Sequence, residues 1–165
     1  MHTPLLPAVI AAAVDLSAEA DAGIADHIVD VAAAWAASFG ARLVLLTACP
    51  PPPVPVLGPL DPTDVTITAM HDVLRDTVAH AESRLQAVAD RARQRGVDVT
   101  TQMITAPGHL PELLAHAANA LPAQLLILGT RAKRGLAAAI LGSVAEKTAH
   151  LSKVPVTLLP PPPLA

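Results

Sequence analysis

The stretch of sequence with the clearest chemical potential runs from residue 129 to residue 143. Its glycines let backbone N–H groups approach an anion closely, and the helical pattern that follows offers unpaired N–H donors and a positive dipole. A serine hydroxyl and basic side chains add further anion ligands. The stretch therefore predicts a phosphate-binding loop. Its candidate residues are Gly129, Arg131, Lys133, Arg134, Gly142 and Ser143.

A purely structural interpretation of the same residues stays open. Ser143 and Glu146 have the S-x-x-E spacing of a capping box, which needs no ligand. Gly129 and Gly135 also fit turns, and the basic side chains fit a solvated loop. Neither GxxxxGKS/T nor GxGxxG occurs, so the two common nucleotide-loop fingerprints are absent from the sequence.

Other reactive side chains lack the partners that catalysis or metal binding needs. His109 and His116 are seven residues apart, but a zinc site needs a third placed ligand. Ser143 is not part of a GxSxG elbow, so a hydrolase triad has little support. The sequence therefore predicts surface or packed histidines, no catalytic residue and no metal site.

The composition limits the class of protein. The chain has 165 residues, of which 52% are apolar and 15% charged, and its net charge is −3. It has one Trp, one Phe and no Tyr, but 34 alanines, so aliphatic residues must form its core. The negative charge and the scarcity of aromatic side chains argue against nucleic-acid binding. We expect a single globular domain.

Two apolar stretches do not have the features of export or membrane segments. No Lys or Arg precedes Arg42, so the basic start of a signal peptide is missing. Six prolines interrupt the uncharged run 43–60, which therefore cannot form a continuous membrane helix. Cys49 is the single cysteine and cannot form an internal disulfide. We expect a cytoplasmic protein without membrane contact.

Five apolar or β-branched runs predict strands, at residues 8–14, 42–48, 97–105, 124–128 and 154–159. Helical patterns separate them. The first has Ser17 as its N-cap and Gly40 as its stop. Its apolar stripe consists of Ile24, Ile28, Val31, Trp35 and Phe39. The second covers residues 67–92, with Arg84 on its charged face, and two shorter helices cover 110–121 and 141–151.

Strands that alternate with helices predict a parallel sheet covered by helices on both faces. Ligands of such sheets bind beyond the carboxyl ends of the strands, where the strand order switches. Residues 15–17, 47–49, 106–109 and 129–143 follow predicted strands and belong to that edge. Asp15 fits a ligand contact there, and it fits equally an Asx turn that binds the local backbone.

The chain resembles, over nearly its whole length, the universal stress protein family, whose nucleotide-binding members carry a G-x2-G-x9-G-S/T signature. Gly129 matches the first glycine, and Gly142 with Ser143 matches the closing pair. Residues 14–17 resemble the family's V-D-G-S turn, with Asp at its place. Gly108 matches a glycine that precedes the third helix.

Four positions depart from the family's pattern. Ala132 stands in place of the second signature glycine, and Arg131 in place of a histidine. Leu16 replaces the glycine of the first turn, and Gln124 replaces an acidic residue. If position 132 requires a positive φ, alanine is strained there; otherwise its methyl group is harmless.

The resemblance implies an α/β, Rossmann-like fold: an open five-stranded parallel sheet of strand order 3-2-1-4-5 within three layers. It implies one domain over residues 1–159 and a Pro-rich tail over 160–165. It also implies an adenine-nucleotide site, with Asp15 near the adenosine and the glycine loop on the ribose and phosphates. The implied binding residues are Asp15, Gly129, Arg131, Ala132, Gly142, Ser143 and Val144.

We therefore expect an ATP-binding regulatory protein of the stress response, with ADP or AMP as other candidate ligands and Mg²⁺ as a potential companion. No general base or Mg²⁺ carboxylate pair is evident, so any ATP hydrolysis is expected to be slow. The resemblance also implies a homodimer formed through the last strand, from Val154 to Leu159. The alternative is a dimeric interaction module of the same fold without nucleotide, which Ala132 and Leu16 favour.

Overall fold

The computed structural model describes residues 6–17, 22–51, 65–130 and 142–162, without the side chains of residues 22 and 65–70. Within these ranges it has five strands and four helices. The strands are β1 Val9–Ala13, β2 Arg42–Ala48, β3 Val99–Ile104, β4 Leu125–Gly129 and β5 Val156–Leu159. The helices are α1 Ala22–Phe39, α2 Val65–Arg93, α3 Leu110–Ala120 and α4 Ser143–Leu151.

All strand pairs are parallel, and the order across the sheet is β3-β2-β1-β4-β5. The predicted fold class and strand order are therefore confirmed. β1 lies at the centre, where Ala13 is level with Leu46 of β2 and Leu128 of β4. The order reverses between β1 and β4, because the chain continues from β1 toward one edge and from β4 toward the other.

The core has two halves, one on each face of the sheet. Alternate residues of β1 face opposite layers, since Ile10 and Ala12 pack with α1 and α2 while Ala11 and Ala13 pack with α3. Strands buried on both faces need apolar residues at successive positions. This requirement explains why the sequence shows unbroken apolar runs instead of alternation.

Among the described side chains, the buried face of α1 consists of four alanines together with Ile28 and Val29, so the predicted stripe of large residues is buried only in part. Ala32, Ala33 and Ala36 are completely buried, whereas Trp35 is only partly buried and Phe39 is 38% exposed. Small side chains let a helix backbone approach the sheet closely, so Trp35 and Phe39 lie at the margins of the contact. α1 ends as predicted, with Gly40 at φ +65°.

The predicted N-cap of α1, Ser17, stays a prediction, because residues 18–21, which separate it from the first described residue of α1, Ala22, lie outside the described residues. The Ser17 N–H and hydroxyl donate to Asp15 Oδ1, at 3.1 and 2.7 Å. The predicted acidic residues of that first turn, Glu19 and Asp21, lie outside the described residues.

α2 has 29 residues and is about 43 Å long at 1.5 Å per residue, roughly twice the length of a strand. None of residues 71–80 is buried, whereas Ala81, Leu85, Ala89 and Ala92 pack on the sheet. Beside this packed half, Arg91 forms ion pairs with two aspartates of α1, at 2.9 and 2.7 Å. A hydrogen bond to Asp30 and the nearby Asp26 charge raise the pKa of Arg91 above its ordinary value.

Candidate functional site

The candidate site lies at the carboxyl edge of the sheet, where β1 and β4 end side by side. The β1–α1 connection leads to one face of the sheet, and α4, which follows β4 in the chain, packs against α3 on the other face. A crevice at such a switch in strand order is the usual binding place in open α/β sheets. The structure thus places the start of the β1–α1 loop, with Asp15, beside Gly129 and Thr130.

The first loop of the site is stabilised by its own aspartate. Asp15 Oδ1 accepts both the Ser17 N–H and the Ser17 hydroxyl, which forms an Asx turn. The Asx-turn interpretation of Asp15 is therefore confirmed. A carboxylate held in this way has a defined direction, so the turn also gives the site an acidic group in a fixed place.

Side chains from two other elements bind the carbonyls of this loop. Thr47, at the end of β2 and 2% exposed, donates its hydroxyl to the Val14 carbonyl at 3.0 Å. Arg84 of α2 donates from Nη1 to the carbonyls of Leu16 and Ser17, at 2.9 and 2.6 Å. The carbonyl groups of Val14, Leu16 and Ser17 thus each have a side-chain donor.

Gly129, the last residue of β4, has a packing role. A Cβ atom at this position would lie 2.5 Å from Cδ1 of Ile28, a buried residue of α1. The helix therefore crosses the end of β4 at a distance that only glycine allows without a shift. The next residue, Thr130, is buried, and both its N–H and its hydroxyl donate to the Leu159 carbonyl, at 2.8 and 3.2 Å.

The other side of the site is the N-terminus of α4. Gly142 is its N-cap, with φ −61° and ψ 139°, and no side chain among the described residues caps it. Ser143 is the first helical residue, and the Glu146 N–H already bonds to the Gly142 carbonyl at 2.9 Å. The capping-box interpretation of Ser143 and Glu146 is therefore wrong. Ser143 and Val144 are exposed, and the first N–H groups of α4 have no acceptor within the helix.

Two of the predicted site residues, Arg131 and Ala132, lie outside the described residues, as do Lys133, Arg134 and Gly135. The structure brings the remaining ones to one edge: Asp15 after β1, Gly129 at the end of β4, and Gly142, Ser143 and Val144 at the start of α4.

The role of Arg84 was not predicted. The sequence pattern places this residue on the charged face of α2, whereas the structure shows it half-buried and bound to a loop 67 residues earlier. Its sequence neighbours carry no signal for that contact. Thr47 had a signal, because it is a polar residue at the end of an otherwise apolar strand.

The arrangement suits binding better than catalysis. Helix N-terminal N–H groups and a hydroxyl can hold an anion, and a carboxylate can accept from the N–H groups of a base. In the part of the chain that the structure describes, no three of His, Cys, Asp and Glu lie close enough to hold a metal ion. Within the same ranges, no helix has the length and apolarity needed to span a membrane.

The family model of the universal stress protein family matches residues 9–160. The chain belongs to this family. The fold is also that of solved universal stress proteins. One, from Burkholderia pseudomallei, is 25% identical with a TM-score of 0.65, and the match covers 93% of this chain and 96% of that chain. The comparison with curated proteins gives no match.

Two further universal stress protein structures contain a nucleotide. One, from Archaeoglobus fulgidus in complex with dAMP, is 17% identical with a TM-score of 0.61, covering 90% of this chain and 94% of that chain. Another, in complex with cAMP, is 23% identical with a TM-score of 0.57, covering 93% and 97%. At these identities the likeness to this chain is one of fold.

Two departures of this universal stress protein from its family pattern have a structural explanation. Leu16, in place of the turn glycine, is buried in the core beneath α1, and no non-glycine residue in the described ranges has a positive φ. Gln124, in place of the acidic residue, accepts the N–H groups of Ala8 and Val9 at 3.0 and 2.8 Å. It connects β1 to the start of β4 at the amino edge, away from the site.

Proposed function

We propose that this universal stress protein is a regulatory protein of the stress response that binds an adenine nucleotide, with ATP as the leading candidate. The site extends from Asp15 to the segment 129–144. The observation that carries the proposal is the N-terminus of α4, which no side chain in the described residues caps and which opens at the same edge as Asp15. The proposed residues are Asp15, Gly129, Arg131, Ala132, Gly142, Ser143 and Val144.

The roles within this site follow from charge. The N–H groups at the start of α4 favour the phosphates, and the carboxylate of Asp15 favours the adenosine, since a carboxylate repels phosphate. The dAMP and cAMP complexes of two structural neighbours support an adenine base. Mg²⁺ would arrive with a triphosphate, because Mg²⁺ commonly binds through substrate phosphates and a few protein oxygens.

The first test identifies the nucleotide that copurifies with the protein. Freshly purified protein is denatured, and the released small molecules are compared with ATP, ADP and AMP by chromatography. A near-stoichiometric adenine nucleotide supports the proposal. In parallel, ATP at 100 times its dissociation constant should stabilise the native state by about 2.7 kcal/mol. No released nucleotide and no ATP-induced rise in Tm would overturn it.

A glycine restored at position 132 tests the main departure from the signature. If the Ala132 methyl group crowds the ligand, Ala132→Gly increases ATP affinity. If the backbone at that position fits alanine, the affinity stays the same or falls slightly, because glycine loses more conformational entropy. Either result presupposes measurable binding in the wild type.

The second candidate function is a dimeric interaction module, which the exposed edge of β5 favours. β5 is the last strand of the described sheet, and all four of its side chains are half-buried. We propose that residues 1–159 form one domain, and that its last segment, residues 154–159, pairs with the same strand of a second copy. Light scattering should show that Thr157→Glu gives a monomer, whereas Thr100→Glu, on the opposite edge strand β3, retains the dimer. A dimer that survives Thr157→Glu would exclude this interface.

A further inference from the structure

We infer that Arg84 is a positioning residue of the nucleotide site: by binding the carbonyls of Leu16 and Ser17 it sets the position of Asp15, and with it the preference for an adenine base. The inference rests on the proposed function and deepens it. Arg84 is not a ligand contact in this scheme. It acts through the loop.

The contacts of Arg84 are specific to this loop. Its Nη1 donates to Leu16 O at 2.9 Å and to Ser17 O at 2.6 Å. Other arginines of α2, such as Arg75, Arg91 and Arg93, form ion pairs with aspartates, whereas Arg84 forms no ion pair with a described carboxylate. A guanidinium that donates to neutral carbonyls forms charge-assisted bonds, which are shorter and stronger than neutral ones.

Two further contacts hold the loop, and they involve other atoms than the two carbonyl groups that Arg84 binds. The Leu16 side chain lies in the core, and Thr47 binds the Val14 carbonyl. Both hold the loop where it leaves β1. Arg84 binds the carbonyl of Leu16 and that of Ser17 itself. Ser17 is also the residue whose N–H and hydroxyl fix the Asp15 carboxylate. Without Arg84, Ser17 can move away from the sheet, and Asp15 loses its direction.

The consequence is selective for one end of the ligand. Asp15 lies after β1, and the phosphate ligands lie after β4 and at the start of α4. A loosened first loop should therefore weaken recognition of the base and leave binding of the phosphates unchanged. A merely structural arginine would instead lower the stability and weaken all ligands alike.

The experiment measures the affinities of ATP, GTP and inorganic tripolyphosphate for the full chain by calorimetry. Arg84→Met removes the donors and retains much of the apolar stem. We expect its ATP affinity to fall about ten-fold, as for the loss of hydrogen bonds to a charged group, with a smaller ATP-to-GTP ratio and unchanged tripolyphosphate binding. Arg84→Lys, which keeps a donor, should recover part of the ratio.

Arg75→Met is the matched control, because Arg75 lies on the same helix, is 74% exposed and, among the described residues, pairs with Asp72 and Asp76. It should bind all three ligands as the wild type does. If Arg84→Met does not fold, the uncharged and shorter Arg84→Gln takes its place. A wild-type ATP-to-GTP ratio in the uncharged variant that folds overturns the role of Arg84 only. A wild type that binds no adenine nucleotide overturns the proposed function and this inference together.

Discussion

The two ends of the proposed site differ in how the protein satisfies their polar groups. In the first loop, side chains of Thr47 and Arg84 bind three backbone carbonyls, and the Asp15 carboxylate binds Ser17. At the start of α4, no side chain in the described residues binds the helix N-terminus. Within the described residues, the first loop thus has its polar groups bound by the protein, whereas the N–H groups at the start of α4 have no side-chain cap.

This difference indicates where specificity and where affinity should arise. A loop ordered during folding loses no further conformational entropy on binding, so it can select a base by shape and hydrogen bonding. Unpaired N–H groups at a helix terminus attract any anion, and they contribute affinity without selecting the base.

The largest effect should come from Asp15→Asn. The asparagine Oδ1 can still accept from Ser17, so the loop keeps its shape while the charge is lost. We expect ATP affinity to fall by about 2 kcal/mol, roughly thirty-fold, as for a hydrogen bond to a charged group. Calorimetry with ATP measures this loss. Tripolyphosphate should bind slightly better to Asp15→Asn than to the wild type, because the variant lacks a negative charge. Asp98→Asn, in an ion pair with Arg42, is the control. Equal ATP affinities for Asp15→Asn and wild type would remove Asp15 from the site.

The next effect separates packing from ligand binding at Gly129. Gly129→Ala places a methyl group against Cδ1 of Ile28, and we expect a loss of about 1–2 kcal/mol of unfolding free energy from overpacking. Ile28→Val removes that Cδ1 atom, so the double variant should lose less stability than the two single variants added together. Denaturant unfolding of the four proteins measures the coupling.

The double variant also reports on the ligand. If Gly129 is glycine only because α1 crosses it, the Gly129→Ala and Ile28→Val double variant binds ATP as the wild type does. If a contact between the ligand and the protein backbone at position 129 needs glycine, the ATP affinity of the double variant stays low although its stability recovers in part. Additive stabilities, without any coupling, would contradict the packing role of Gly129.

The fold was predictable from local pattern to a large extent. β2 has the predicted bounds, because five of its seven residues are buried and four of these form an unbroken apolar run. The strand order could be predicted only from the family resemblance, since an apolar run does not indicate which strands lie beside it in the sheet. The buried stripe of α1 was predicted only in part: Ile28 is buried, but the buried alanines were missed, because alanine carries little hydrophobic signal although it permits close helix–sheet contact.

The site was less predictable, and its two ends show why. Gly142 and Ser143 could be recognised, because a helix start has a local sequence signal, although the capping-box alternative could be rejected only once the N-cap was seen to be Gly142. Arg84 could not be recognised, because its partners are carbonyl groups, which every residue has. Thr47 also binds a distant carbonyl, but it is a polar residue in an apolar strand, whereas Arg84 is one of many charged residues on its helix.

A smaller effect is expected at Thr47. Thr47→Val preserves the volume of the side chain but removes the donor to the buried Val14 carbonyl. An unsatisfied buried group costs about 1 kcal/mol of unfolding free energy or slightly more. Thr77→Val is the control, because its hydroxyl binds the Val73 carbonyl on the exposed part of α2 and should contribute little. Equal stability losses in the two variants, in urea unfolding, would show that Thr47 does not support the loop.

The smallest effect in stability is also the sharpest test of the other end. Ser143→Asp places a carboxylate in the first turn of α4, where the helix dipole favours it by about 0.3–1 kcal/mol. The free protein should therefore become slightly more stable, while its ATP affinity falls because the carboxylate repels the phosphates. Ser143→Asn, of equal size and without charge, should change neither quantity by as much. Thermal unfolding at low and high salt measures the change in stability, and calorimetry with ATP measures the change in affinity. Ser143→Asp with a raised Tm and undiminished ATP affinity would place the phosphates elsewhere, and the two ends of the site would no longer divide base from phosphate.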